Sequence, residues 1–98
     1  MIRHMIFWNY TPAVNDTLAV VANIQQSFRD MVEKIDGLDY AEVDADLGAG
    51  THDLGLYCEF SSWTALKNYY THPLHLAFRT RMKDCLTDRV CVDLEAAK

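Results

Sequence analysis

Residues 2–10, Ile-Arg-His-Met-Ile-Phe-Trp-Asn-Tyr, decide the fold of this chain, because they form a strand with two largely apolar faces. Alternate residues of a strand point to opposite sides of its sheet. One side then carries Trp8 beside His4, and the other side carries Met5 and Phe7. This pattern is typical of a strand that is covered on both sides.

The segment after this strand predicts a long helix. Asn15 or Asp16 can cap its start, since either side-chain oxygen can accept a hydrogen bond from a free backbone amide. Gly37 follows its end and can adopt the left-handed conformation that is common after helices. Apolar residues recur every three or four positions between these signals, which indicates one buried stripe. The stripe comprises Leu18, Val21, Ile24, Phe28, Met31 and Ile35.

Two strands joined by a glycine-containing turn are predicted next, over 38–47 and 53–60. Alternation in the first of them places Leu38 and Tyr40 on one side of the sheet and Val43 on the other. The acidic residues of this strand are interpreted as a solvated strand end, because carboxylates are mostly exposed.

Pro73 divides the second helix into two pieces, because proline cannot continue a helix but fits the first turn of another. The first piece begins after Ser61 or Ser62 and can turn only one of Tyr69 and Tyr70 inward. The second piece carries apolar residues at every fourth position, and a closing strand follows it. These residues are Leu74, Phe78, Met82 and Leu86 in the helix, and Val90, Val92 and Leu94 in the strand.

The predicted order is β-α-β-β-α-β, which is the order of the ferredoxin-like α+β fold. In that fold a four-stranded antiparallel sheet carries its helices on one face. The other apolar face of strand 2–10 is then left open, and a second sheet would bury it. We therefore expect one domain over 1–98 that forms a homodimer through the open sheet face, a dimeric α+β barrel.

The composition argues against several classes of function. The net charge is −5 and the nine lysines and arginines are scattered, so we expect no binding to nucleic acid or to an anionic membrane. No apolar run is long enough to span a membrane, and the first residues lack a signal-peptide pattern. Three cysteines without Cys-x-x-Cys spacing indicate reduced thiols and a cytoplasmic protein.

The segment 69–75, Tyr-Tyr-Thr-His-Pro-Leu-His, places two imidazoles and two phenols within seven residues. Histidine has the side-chain pKa nearest neutrality, so this cluster could move protons. His72 and His75 have the i, i+3 spacing of a metal-binding pair. No further ligand lies at a fixed spacing from them, so we expect neither a metal nor a cofactor. His72 is interpreted as a cap of the second half-helix or as a residue packed at its start.

Three segments carry a family resemblance. They are Ile-Arg-His-Met-Ile-Phe at 2–7, Asp-Leu-Gly-Leu-Tyr-Cys-Glu-Phe at 53–60, and Ala-Leu-Lys-Asn-Tyr at 65–69 leading into His-Pro-Leu-His. Together they resemble the stress-responsive A/B barrel (Dabb) domain family over nearly the whole chain. The resemblance implies a homodimeric α+β barrel with a cavity between sheet and helices for a small apolar or aromatic ligand. Most members of the family have no assigned activity.

One activity in this family is a cofactor-free polyketide cyclisation, in which a linear tetraketide closes to an aromatic acid by an aldol step. The resemblance implies that Tyr69, His75 and His4 correspond to the tyrosine and histidines of that cavity. His75 would be the base, oriented by a hydrogen bond to Tyr69. A third-strand histidine of the cyclase corresponds to Leu54 here, with His52 nearby. A proton-transfer enzyme is thus an open alternative to a ligand-binding module, and each histidine has a structural alternative as a hydrogen-bonded core residue.

A third alternative comes from the antibiotic-biosynthesis and haem-degrading monooxygenases, which are also dimeric α+β barrels. Their asparagine, tryptophan and histidine correspond to Asn9, Trp63 and either His72 or His75. Asn9 falls on the opposite strand face from His4, so this alternative is the least favoured of the three.

Overall fold

The computed structural model describes residues 1–96, and its elements follow the predicted order with the second helix in two pieces. The strands form one antiparallel sheet in the order β2-β3-β1-β4. The helices cover one face of it, which confirms the ferredoxin-like α+β fold. The elements are β1 (Ile2–Tyr10), α1 (Thr17–Lys34), β2 (Leu38–Ala45), β3 (Leu54–Phe60), α2 (Trp63–Thr71), α3 (Pro73–Met82) and β4 (Leu86–Glu95).

Helix α1 begins and packs largely as its sequence predicts. The Asp16 side chain caps it by accepting a hydrogen bond from the Ala19 amide at 3.0 Å. Val21, Ile24 and the later apolar residues of the stripe are buried. Leu18 is the exception, since it is 82% exposed and the prediction that it joins the stripe is wrong.

Gly37 is required where β2 passes close to α2. Its φ is +84°, a conformation that glycine adopts without strain. A Cβ atom at this position would lie 2.4 Å from the Cβ of Ala65. The Gly37 carbonyl accepts a hydrogen bond from the Ser61 amide at 2.8 Å. The glycine therefore ties the start of β2 to the start of the second helical region.

The break between α2 and α3 is built from a histidine and a proline. His72 caps α3, because its Nδ1 accepts a hydrogen bond from the Leu74 amide at 3.1 Å, as predicted. Pro73 follows as the first helical residue. The helix ends at Met82, so the prediction that it extends to Leu86 is wrong. Leu86 instead pairs with Tyr10 at the start of β4.

Alternation fails at the start of β2. Leu38 is 2% exposed whereas Tyr40 is 43% exposed, so the two side chains do not share a face as predicted. Leu38 pairs with Phe60 and Tyr40 pairs with Glu59, which leaves Asp39 as an extra residue in the ladder. An extra residue of this kind is a β-bulge, and it reverses the alternation beyond it.

Candidate functional site

A cavity of about 650 Å³ opens between α2, α3 and the strands β1 and β4. Drug-sized ligands occupy pockets of about 300–1,000 Å³. Tyr69 and His75 both line this cavity, whereas His4 does not. The His4 ring nevertheless lies 5.9 Å, centroid to centroid, from the Tyr69 ring. The cavity is lined by Ile6, Trp8, Tyr69, Tyr70, His75, Leu76, Phe78, Arg79, Thr80, Met82, Lys83, Leu86 and Arg89.

His75 is a neutral imidazole at the edge of this cavity. Its Nδ1 lies 3.3 Å from the Tyr70 carbonyl oxygen. A carbonyl oxygen only accepts hydrogen bonds, so Nδ1 carries the proton and Nε2 keeps its lone pair. Burial lowers the pKa of His75 to about 4, although the hydrogen bond to Tyr70 opposes this shift. The ring is therefore uncharged at neutral pH and has the form of a proton acceptor.

Tyr69 is fully buried and contacts His75 through its ring. The two ring centroids are 4.1 Å apart with an angle of 35° between the ring planes. The Tyr69 hydroxyl has no hydrogen-bond partner within residues 1–96. The expected hydrogen bond from Tyr69 to His75 is therefore absent, because the rings pack against each other instead. Burial raises the pKa of Tyr69 well above its ordinary value, so the phenol keeps its proton.

His4 forms the inner end of the cluster and is paired with Asp93 on β4. Its Nδ1 is hydrogen-bonded to the Asp93 carboxylate, which can only accept, so Nδ1 again carries the proton. The rings of Phe60, Tyr69 and Tyr70 surround it edge-on, each with its centroid 5.9 Å away. Burial lowers the pKa of His4, and Asp93 partly offsets that effect. His4 Nε2 therefore keeps a lone pair, and this atom is buried without a hydrogen-bond partner among the described residues.

This cluster contains two buried polar atoms without a hydrogen-bond partner. Within the described part of the chain, His4 Nε2 and the Tyr69 hydroxyl are two of the three buried side-chain nitrogen or oxygen atoms that lack a hydrogen-bond partner. Each such atom costs about 1–3 kcal/mol of folding free energy. A folded protein satisfies most buried polar groups, so a pair of exceptions in one place marks a candidate site.

Asp93 is a site residue that the sequence analysis missed. It lies 89 positions from His4 along the chain, and only the register of β1 against β4 makes the two residues neighbours. The signal that could have identified it is alternation in β4. Cys91 and Asp93 share the strand face opposite to the apolar residues Val90 and Val92.

Among the described residues, His4, Cys91 and Asp93 form the group that could hold a metal ion. Their donor atoms all lie within 4.8 Å of one another. Burial and the nearby Asp93 carboxylate raise the pKa of Cys91, which keeps the thiol protonated and unfavourable as a ligand. His72 and His75 form the other histidine pair. His72 Nδ1 accepts the hydrogen bond that caps α3, so this atom is not free to bind a metal ion.

The residues of the monooxygenase alternative do not converge. The Asn9 side chain accepts a hydrogen bond from the Asp53 amide and donates one to Asp88. Trp63 is 53% exposed at the start of α2. Neither Asn9 nor Trp63 lines the cavity, so His75 stands alone among that set.

Solved structures of similar proteins share this architecture. A dimeric protein of unknown function with a ferredoxin-like fold from Bacteroides fragilis is 26% identical, with a TM-score of 0.84 over 97% of this chain and 95% of that chain. A dimeric ferredoxin-like protein of unknown function from Thermobifida fusca is 26% identical, with a TM-score of 0.82 over 97% and 90% of the chains. A Dabb family protein with a ferredoxin-like fold from Mesorhizobium loti is 20% identical, with a TM-score of 0.71 over 99% and 97%, and shows likeness of fold alone.

The family is established by sequence over almost the entire chain. None of the curated proteins matches this chain. No helix among residues 1–96 is long and apolar enough to cross a membrane. The model of the stress responsive A/B barrel domain family matches residues 2–96, which include all four strands and the Tyr69–His75 cluster. The chain therefore belongs to the stress-responsive A/B barrel (Dabb) domain family.

Proposed function

We propose that this Dabb protein is a homodimer in which each protomer binds a small apolar or aromatic molecule between its sheet and its helices. The observation that carries the proposal is the 650 Å³ cavity with Tyr69 and His75 in its wall. Aromatic and apolar walls with a few polar groups are the usual composition of a small-molecule site. We also propose a cytoplasmic location, which the three free cysteines support.

The open sheet face supports the homodimer. Large apolar residues are 40–50% exposed there, among them Phe7, Val90 and Val92. They lie side by side, because Phe7 pairs with Val90 and Met5 pairs with Val92 across β1 and β4. An apolar patch of this kind marks an interaction surface, and similar proteins of this fold are dimeric.

A charge in the centre of this face tests the homodimer. Val92→Glu would bury a carboxylate between two sheets, so we expect the variant to be monomeric at micromolar concentration in analytical ultracentrifugation. Leu18→Glu is the matched control, because Leu18 is an apolar residue exposed on α1, on the other side of the protein. A wild-type protein that is itself monomeric would refute the homodimer.

Proton transfer without a cofactor is the second candidate function, and the protonation states favour it. Neutral His75 could remove a proton from the carbon next to a bound carbonyl group. The Tyr69 hydroxyl is protonated and unpaired, so it could donate a hydrogen bond to the enolate oxygen that forms. The proton on His75 would then return to carbon or pass to water. This reaction class includes the aldol cyclisation that the family resemblance implies.

Hydrogen exchange of a simple ketone tests this second function. We expect the protein to accelerate exchange of the methyl protons of acetophenone in deuterated water, as followed by NMR. His75→Ala should lower that acceleration by about 10²-fold or more, with an unchanged circular dichroism spectrum. His52→Ala is the control, since His52 does not line the cavity. Equal rates in the wild type and in His75→Ala would remove His75 from any such chemistry.

A further inference from the structure

The cavity is positively charged in a protein that is negatively charged overall. The chain has fourteen acidic and nine basic residues, with a net charge of −5. Three of the basic residues, Arg79, Lys83 and Arg89, line the cavity, and none of its lining residues is acidic. A wall chosen at random from this chain would carry more carboxylates than cations. The concentration of positive charge at one cavity therefore calls for a physical explanation.

These three cations have no anionic partner within the described residues. The ion pair found in residues 1–96 joins His4 to Asp93, and it involves none of the three. Cations that neutralise surface carboxylates are common, but these ones have no carboxylate within ion-pair distance. Burial is the main cause of the lowered pKa of His75 and of the raised pKa of Tyr69, but the charge of Arg79 adds to the first shift and the charge of Arg89 opposes the second. The positive potential therefore extends into the cavity.

The strand that carries Arg89 is distorted beside the cavity. The register between β1 and β4 shifts between Phe7 and Asn9, so that Asp88 and Arg89 lie together opposite Trp8. Asp88 has a φ of +55°, which is uncommon for a residue other than glycine, and the Asn9 side chain donates a hydrogen bond to its carboxylate at 3.0 Å. Bulges recur next to binding sites, where they set the direction of a side chain. Here the residue that follows the strained position is the arginine in the cavity wall.

From these features we infer that the cavity takes a small organic anion, whose aromatic or extended apolar body lies against Trp8 and Tyr69 while its negative head group meets Arg79, Lys83 and Arg89. The head group is a carboxylate or a phosphate, since arginine and lysine bind both. The inference rests on the proposed small-molecule cavity and narrows the class of its ligand. Each cation is exposed and contributes little alone, but three that converge on one charge should favour an anion over its neutral analogue by about tenfold.

Tryptophan fluorescence provides the measurement, because Trp8 lines the cavity and the other tryptophan, Trp63, can be replaced. In a Trp63→Phe background, the protein is titrated with phenylhexanoate, with its neutral isostere phenylhexanamide, and with phenylpentyl phosphate. We expect either anion to bind about tenfold more tightly than the amide at pH 7. The preference should shrink as ionic strength rises, since the cations lie at the surface. Whichever anion binds more tightly identifies the head group.

Charge variants assign the preference to the cavity wall. Arg89→Gln is expected to reduce the anion preference at least threefold while leaving the affinity for the amide nearly unchanged. Arg29→Gln is the control, because Arg29 is exposed on α1, donates a hydrogen bond to Gln26 and does not line the cavity. Equal affinity of the wild type for anion and amide would overturn the inference and leave the binding cavity in place. Failure of all three compounds to bind at millimolar concentration would overturn both the inference and the proposed binding function.

Discussion

Both faces of the sheet carry large apolar side chains, but the helices bury those of one face only. On the covered face, His4 and Trp8 are almost completely buried by the helices. On the open face, Phe7 and Val92 of the neighbouring strands are 40% and 50% exposed. The covered face must satisfy its polar groups from within the chain, and it leaves two of them unpaired. Among residues 1–96 the open face holds no comparable pair of unpartnered polar atoms. Its exposed apolar residues are those that we propose the dimer buries, and the covered face carries the proposed ligand cavity.

The largest expected effect is the loss of stability when a buried side chain of the covered face is truncated. The matching truncation on the open face should act through the dimer. Leu56 is 2% exposed on the covered face of β3, so Leu56→Ala should lower the free energy of unfolding by about 3 kcal/mol. Val92→Ala acts on a residue that we expect only the dimer to bury. Its effect on the midpoint of urea denaturation should therefore depend on protein concentration. A Val92→Ala effect that is equally large at all concentrations would contradict this division.

An intermediate effect concerns the histidines of the covered face. Burial lowers the pKa of His75 to about 4 from an unfolded value of about 6.5, and the pKa of His4 is lowered as well. Between those two pH values the unfolded chain binds a proton that the folded chain does not. Stability is therefore complete above pH 6.5 and falls as the pH drops toward 4, by about 2 kcal/mol for His75.

Chemical denaturation from pH 7.5 to 4 measures this loss. His75→Gln should show a shallower decline than the wild type, because the variant has no group at position 75 that binds a proton only in the unfolded chain. Above pH 7 the curves of variant and wild type should be parallel. Parallel curves over the whole range would show that His75 is not buried as a neutral imidazole.

The smallest effect tests the unpaired hydroxyl of Tyr69. Tyr69→Phe removes a buried group that has no partner and leaves the ring in place, so the free energy of unfolding should stay constant or rise by about 1 kcal/mol. Tyr70→Phe is the control, since Tyr70 is only half-buried. A clear loss of stability in Tyr69→Phe would mean that the hydroxyl is hydrogen-bonded in solution and is not free for a ligand.

The elements that the sequence predicts well are those encoded by neighbouring residues. The β1 pattern, the Asp16 cap and the break at Pro73 each depend on a few adjacent positions, and the structure contains all three. The errors at Tyr40 and Leu86 occur where pairing with a distant strand competes with a local pattern. Apolar residues at every fourth position predict that α3 extends to Leu86. The helix ends earlier, because Leu86 pairs with Tyr10 of β1.

The residues of the candidate site also divide into those that a local segment identifies and those that only strand pairing brings together. The family resemblance of the segment 69–75 implies that Tyr69 and His75 share a site, and both line the cavity. Their contact through the ring faces, in place of a hydrogen bond, depends on the angle between α2 and α3. Asp93 and Arg89 were not predicted as site residues, because alternation in β4 gives the face that each occupies but not the residues of β1 that they lie against.

The sequence by itself determined the order of the elements, the fold class and the family, because periodicity, caps and the His-Pro-Leu-His segment are written in consecutive residues. The tertiary structure alone decided the partner of His4, the two unpaired polar atoms and the positive charge of the cavity. The physical reason is register. Strands β1 and β4 lie at opposite ends of the chain, and pairing them places His4 against Asp93 and Trp8 against Arg89. Many registers are compatible with two apolar alternating strands, and only packing in three dimensions selects one of them.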